Sequence, residues 1–190
     1  GVLGTIRRVN CEYLQGWLAR REPQNKQAQW RTDPARAGVA GCFGDIGSHA
    51  ENLVSFVTGL DITSLCADLS VFVDGRELDD DGNVLMRFRG GAKGVISASQ
   101  IAVGKENDLR LHVYGSAASL EWQQADANSL MVRFADKPPV VHRTGGAGTS
   151  EVSMSATRLP AGHPEGYLEA FAQLYSCLLY TSDAADESVC

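Results

Sequence analysis

The chain has 190 residues, 44% hydrophobic and 21% charged, the proportions of an ordinary globular protein with room for one core. A net charge of -6, a pI near 5.2 and scattered basic residues exclude a nucleic-acid surface, which needs a basic stripe to displace counterions. No apolar run approaches the roughly 20 residues that cross a bilayer, and the residues after Gly1 form no signal peptide, so a soluble, cytoplasmic protein without nucleic-acid or membrane partners is expected.

In chain order, residues 5–15 alternate Ile6, Val9, Cys11 and Tyr13 with polar positions, imperfectly but enough for a strand. Residues 24–40 are polar and punctuated by Pro34 and Gly38, which predicts a long loop of the kind that carries function. Residues 45–58 place Ile46, Ala50, Leu53 and Val57 on one helix face, and Gly59 supplies the stop. From Ile62 the period falls to two. Leu65, Ala67, Leu69, Val71 and Val73 alternate with their neighbours, as do Val84, Met86 and Phe88, and strands follow over 92–101, 108–114 and 119–123. Five strands joined by short turns predict an antiparallel sheet. Residues 138–155, rich in Gly, Thr and Ser, read as a surface loop. Gly162-His-Pro-Glu-Gly-Tyr then opens a last helix, with Pro164 in its first turn and Tyr167, Phe171, Leu174 and Tyr175 as one buried stripe.

The fold class that follows is α+β, an open, mainly antiparallel sheet with helices on one face. Leu109, Leu111 and Val113 lie on one side of their strand and Arg110, His112 and Tyr114 on the other, so the second face is half apolar and suited to association of copies. Five cysteines (Cys11, Cys42, Cys66, Cys177, Cys190) are odd in number and never spaced C-x-x-C, which predicts reduced, mostly buried thiols. None of His49, His112, His142 and His163 stands four residues from another, and no metal site is expected.

The sharpest local feature is Gly44-Asp-Ile-Gly-Ser-His49. On a helix, Asp45 and His49 are neighbours on one face, about 5–6 Å apart at Cβ. An imidazole exchanges a proton near neutral pH, and a carboxylate beside it orients it and raises its basicity. Taken alone, an Asp–His pair at this spacing is more often a surface or capping pair than a catalytic one. Gly47 is a poor helix former, costing about 1 kcal/mol against Ala, which implies a close approach to the backbone by a ligand or a packed strand. Trp30, Arg31 and Asp33 precede this segment, and Gln15 and Trp17 follow the first strand. Flat aromatic faces with hydrogen-bonding groups are what sugars bind, although Trp17 and Trp30 also suit a plain core role.

These residues resemble the glucose–fructose oxidoreductase and inositol dehydrogenase (Gfo/Idh/MocA) family. The matching strings are Gly4-Thr-Ile-Arg-Arg-Val with Tyr13-Leu-Gln-Gly-Trp-Leu, Trp30-Arg-Thr-Asp-Pro, Gly44-Asp-Ile-Gly-Ser-His-Ala, residues 115–122 (GSAASLEW) and Gly162-His-Pro-Glu-Gly-Tyr-Leu-Glu-Ala-Phe. The resemblance implies a two-domain enzyme, with an N-terminal Rossmann domain for NAD or NADP and a C-terminal α/β domain whose open sheet mediates homo-oligomerisation. This chain corresponds to the second part, without the Rossmann domain and without the family's lysine in a Glu-Lys-Pro motif. Neither Gly1-Val-Leu-Gly nor Gly41-Cys-Phe-Gly is a dinucleotide fingerprint, so cofactor-binding residues are left unassigned.

The implied chemistry is oxidation of a secondary hydroxyl of a sugar or cyclitol. Asp45 would hold substrate hydroxyls and orient His49, and His49 would take the proton while hydride leaves for the nicotinamide. Gln15, Trp17, Trp30, Arg31 and His163 are the implied substrate contacts, His163 suiting a helix-capping role equally well. Residues 1–175 are expected to form the substrate-binding and oligomerisation domain. Residues 176–190, which begin Ser176-Cys-Leu-Leu-Tyr-Thr-Ser-Asp-Ala-Ala-Asp-Glu and resemble a translated sequencing adapter, are expected to be a non-native tail. Two alternatives stand beside this reading. One is an NAD-dependent glycoside hydrolase of the same superfamily; the other is a non-catalytic oligomerisation domain, because hydride transfer needs a cofactor positioned by protein.

Overall fold

The computed structural model describes residues 1–183, with side chains as far as residue 179. Its eight strands are β1 (Ile6–Leu14), β2 (Ile62–Ser70), β3 (Asp81–Phe88), β4 (Lys93–Ser99), β5 (Asp108–Gly115), β6 (Ala118–Gln123), β7 (Ser129–Phe134) and β8 (Val140–Arg143). They form one sheet in the order β2-β3-β4-β1-β5-β6-β7-β8. β1 and β4 run parallel, and every other pairing is antiparallel. The first strand is therefore inserted between β4 and β5, which the short connection between those two strands had suggested were neighbours.

Alternation decides which face each strand buries. Val9, Cys11 and Tyr13 of β1 stand beside Gly94, Ile96 and Ala98 of β4 on one side and Val113, Leu111 and Leu109 of β5 on the other. These residues form the core with Val84, Met86 and Phe88 of β3. The helix α3 (Ser48–Thr58) covers them with Ala50 and Val54, preceded by a π-helical turn, Phe43–Gly47, that adds Ile46. Burial of a side chain such as Val54 or Ile46 stabilises by about 1.5–3 kcal/mol. Gly59 ends the helix with a left-handed φ of 63°, its N–H bonded to the Ser55 carbonyl, as the sequence predicts.

Several expected elements differ. The polar stretch 24–40 contains two short helices, α1 (Lys26–Arg31) and α2 (Pro34–Ala37), each capped by a side chain: Asn25 accepts from the N–H groups of Gln27 and Ala28, and Asp33 from that of Ala35. Helices this short leave no hydrophobic period to read. The span 138–155 holds β8 and the helix α4 (Glu151–Ala156) rather than only loop. The last helix, α5 (Tyr167–Asp183), starts beyond Pro164. Asn128 clamps Glu165 through two backbone hydrogen bonds, and Glu169 accepts from the Gly166 N–H as a capping carboxylate. Its apolar stripe is not buried: Tyr167, Phe171, Leu174 and Tyr175 are 42–76% exposed. α5 also runs through residues 176–183, and the remainder of the expected tail lies outside the described residues. No helix among the described residues is long and apolar enough to cross a membrane.

Two buried features carry stability. Asp80 accepts from the Phe72 and Val73 N–H groups and pairs with the equally buried Arg76 at 3.2 Å. Arg76 in turn donates to the carbonyls of Leu18 and Arg20, tying the β2–β3 connection to the chain after β1. Asp80→Ala leaves a buried guanidinium uncompensated and is expected to cost about 3–5 kcal/mol in urea unfolding. Replacing both partners with apolar residues should cost less than the single change; a double change that costs the sum of the two singles would mean that the pair contributes nothing as a pair.

Cys11 and Cys42 are buried free thiols, Cys66 is an exposed one, and Cys177 is disulfide-bonded, a departure from the expected set of reduced thiols. Burial, with a smaller push from Glu12, raises Cys11 from 9.0 to about 12, and burial raises Cys42 as well. The folded state holds these protons more tightly than the unfolded one. The stability they contribute is full below pH 9 and is lost as pH climbs through the folded value. At pH 8 a maleimide should modify Cys66 while Cys11 and Cys42 resist until the chain unfolds; native labelling of Cys42 would contradict this packing.

Candidate active site

The sheet brings the carboxyl ends of β1 and β4 to the same edge because these two strands are parallel. The chain beyond β1 continues the ladder there: the Gln15 N–H bonds the Ser99 carbonyl at 2.7 Å, and the Ala102 N–H bonds the Gln15 carbonyl at 2.9 Å. Asn107, just before β5, stands at the same edge, and the start of α3 crosses above it. Between these elements and α1 lies a cavity of about 430 Å³ lined by Tyr13, Gln15, Trp17, Asn25, Gln27, Arg31, Asp45, Ile46 and His49.

Five of the expected site residues, Gln15, Trp17, Arg31, Asp45 and His49, thus meet in one pocket although they come from three segments of the chain. Trp30 stands behind it. The Arg31 guanidinium lies 4.1 Å from the Trp30 ring centroid and 5.8 Å from that of Trp17, so the two indoles hold the arginine between them. Trp17 Nε1 donates to Gln15 Oε1 at 2.8 Å, and Trp30 Nε1 donates to Gln27 Oε1 at 3.1 Å. Neither tryptophan is a fully buried core residue. His163 lies elsewhere: it is exposed, and its Nδ1 bonds the Pro160 carbonyl in the turn before α5.

Asp45 is held differently from the expected pairing. Its Oδ2 accepts from Arg31 Nε at 2.9 Å and from Gln100 Nε2 at 2.8 Å. Among the described residues no hydrogen bond joins Asp45 to His49. The reason lies in the backbone. Asp45 sits in the π-helical turn, whose extra residue per turn offsets it from the straight line that an α-helix draws between positions i and i+4. His49, one turn on, is exposed at the pocket wall, its ring 6.3 Å from that of Tyr13.

The same turn accounts for Gly47. A Cβ there would lie 2.6 Å from Cδ1 of Phe43, so a ring in the same turn makes the close approach, and the protein atoms nearest to it come from no strand. The turn is anchored from afar by Asp79, which takes the place of a local cap by accepting from the Gly41 N–H at 2.7 Å and the Phe43 N–H at 2.8 Å.

Tyr13, Gln27, Gln100 and Asn107 went unnoticed as site residues in the sequence. Tyr13 has the strand pattern of a core residue, yet its hydroxyl donates to Asn107 Oδ1 at 2.7 Å, the oxygen that also accepts from Gln15 Nε2 at 2.7 Å. Burial holds the Tyr13 phenol above its ordinary 10.0, so it remains a proton-bearing donor at neutral pH. No group of three His, Cys, Asp or Glu side chains among the described residues is placed to hold a metal ion.

A family model described as the GFO/IDH/MocA C-terminal domain matches residues 1–121. The oxidoreductase YfiI of Bacillus subtilis (strain 168) is 32% identical over 188 residues, which are 97% of this chain and 48% of that protein. A crystal structure of an oxidoreductase from Sinorhizobium meliloti is 42% identical with a TM-score of 0.82, over 97% of this chain and 48% of that one. An inositol dehydrogenase homolog from Azotobacter vinelandii, complexed with NAD+, is 33% identical with a TM-score of 0.86, over 91% of this chain and 45% of that one. The same homolog complexed with NADH and myo-inositol is 31% identical with a TM-score of 0.82, over 91% and 44%. The chain spans about half the length of these relatives, and it belongs to the GFO/IDH/MocA oxidoreductase family, in which it corresponds to the C-terminal domain.

Proposed function

We propose that the protein to which this chain belongs oxidises a secondary hydroxyl of a sugar or cyclitol, with NAD or NADP as hydride acceptor. The observation that carries the reading is the pocket at the ends of β1 and β4, where an aromatic wall, an arginine paired with the Asp45 carboxylate and the His49 imidazole converge. Arg31 and Asp45 pair at 2.9 Å, so the two fixed charges of the lining cancel and the site suits a neutral, polyhydroxylated ring better than an acid or a phosphate.

The described residues fit the proton half of this chemistry, and no Gly-x-Gly-x-x-Gly turn in the sequence is available to cradle the cofactor's pyrophosphate. The nicotinamide, when bound, supplies the hydride acceptor. This chain's own groups do the rest. Asp45 Oδ1, which has no donor among the described residues, accepts from a substrate hydroxyl. His49, whose ring makes no hydrogen bond to a described residue, takes the proton of the hydroxyl being oxidised. Gln15 and Arg31 position the neighbouring hydroxyls, and Trp17 offers its face to the ring.

In a full-length protein carrying this chain, NAD+ or NADP+ reduction with a panel of cyclitols and neutral sugars is expected. Asp45→Asn and His49→Ala should each lower kcat by about 10²–10⁴-fold without loss of fold by circular dichroism. Absence of turnover with every compound, or full activity in His49→Ala, would sink the reading. Residues 1–190 alone should reduce no cofactor, because hydride transfer needs a cofactor positioned by protein and their sequence holds no dinucleotide fingerprint.

The proposal includes association of copies through the sheet face opposite α3. Strand register puts Cys66, Leu85 and Val95 on that face at one end and Met131 and Val141 at the other, among Arg110, Glu121 and Arg133. Leu85 is 57% exposed in the single chain. Light scattering should find an oligomer that Leu85→Lys dissociates; a monomeric parent protein would overturn this part.

A further inference from the structure

We infer that Gln100 is a positioning residue for Asp45, deciding which carboxylate oxygen is presented to the substrate; the inference rests on the proposed role of Asp45. Gln100 follows β4 directly and is only 3% exposed. A buried primary amide is costly unless it is bonded. The bond it makes is to a carboxylate that is itself 26% exposed and has solvent available as an alternative partner. Among the described residues Gln100 has no alternative partner and keeps this bond, and by keeping it fixes a carboxylate that solvent alone would leave free to turn.

The orientation of the amide follows from chemistry. A carboxylate already paired with Arg31 only accepts, so the group facing Oδ2 is the Gln100 NH2. With two donors on Oδ2, the carboxylate cannot rotate without breaking both bonds, and Oδ1 is the oxygen left for the pocket. Glutamate at this position would set two carboxylates against one another, able to share a proton but not to ionise together.

The backbone of Gln100 is fixed on both sides. Its N–H bonds the Asp80 carbonyl at 2.9 Å, and its carbonyl accepts from the Leu18 N–H at 3.1 Å. Asp80 is the residue buried against Arg76, and its neighbour Asp79 anchors the turn that bears Asp45. One short acidic segment before β3 therefore holds both ends of the Gln100–Asp45 bond. Gln100 is kept in place by the sheet, Asp45 by its turn, and the amide joins them.

The test is a double-mutant cycle with a second readout that does not depend on turnover. In a full-length protein carrying this chain, Gln100→Leu should lower kcat/KM by about 10²-fold, the usual consequence of a displaced catalytic group. In an Asp45→Ala background the same change should have less than about a twofold effect, because the group it positions is gone. Gln100→Glu should lower kcat/KM at least as far as Gln100→Leu. Equal effects of Gln100→Leu in both backgrounds would overturn the inference and leave Gln100 a residue of the interior. In residues 1–190, the Gln100 side-chain amide protons should be shifted and protected from exchange, and Asp45→Ala should abolish both signs; an amide unaffected by Asp45→Ala also overturns the inference. A parent protein without activity on any polyol would instead count against the proposed function, and the amide spectrum would then decide the positioning role by itself.

Discussion

β1 comes first in the chain and sits in the middle of the sheet, parallel to β4 and antiparallel to β5. Between two partners, its inward residues Val9, Cys11 and Tyr13 are covered from both sides as well as by α3, and its backbone is bonded along both edges. A strand so enclosed is a fixed reference. The residues that follow it inherit that rigidity, because Gln15 continues the ladder against Ser99 and Ala102 before the chain turns away. The pocket is placed where it is because the two parallel strands end at the same edge, beneath the start of α3.

Three carboxylates near this edge show how burial and partners divide their work. Asp79 faces backbone N–H groups and acts as a helix cap supplied from another part of the chain. Asp80 is fully enclosed and tied to a guanidinium, so its role is to join loops. Asp45 is partly exposed, held at one oxygen by Arg31 and Gln100, and available at the other. Three chemically identical groups thus cap, fasten or face the pocket according to the donors around them. Arg31 joins the same economy: its charge is matched by Asp45 and its plane by Trp30 and Trp17, which leaves the pocket polar without a net fixed charge.

The middle of the sheet and α3 were legible in the residues because they obey simple periods. β3 and β5 alternate cleanly and β1 imperfectly, α3 carries its apolar stripe, and Gly59 ends it. β7 and β8 were not legible, since they are short, lie at one edge of the sheet and carry mixed residues on a half-covered surface. α1 and α2 were hidden for a related reason: six and four residues held by caps have no period. The stripe of α5 was legible as a pattern, but a pattern states only that a face is apolar, and in this chain that face is exposed.

By itself the sequence determined the fold class, the family resemblance and the motif Gly44-Asp-Ile-Gly-Ser-His49 as the place to look, because these depend on local periodicity and on residue types in fixed order. Only the tertiary structure decided what Asp45 touches. Its partners Arg31 and Gln100 lie 14 and 55 residues away, and no spacing rule reaches them. The π-helical turn that separates Asp45 from His49 is equally invisible from spacing, because it arises from Phe43 packing over Gly47 and from Asp79 capping the turn from 36 residues away. Local order in a chain can name the reactive groups, while the hydrogen bonds that orient them are set by where the sheet brings distant segments together.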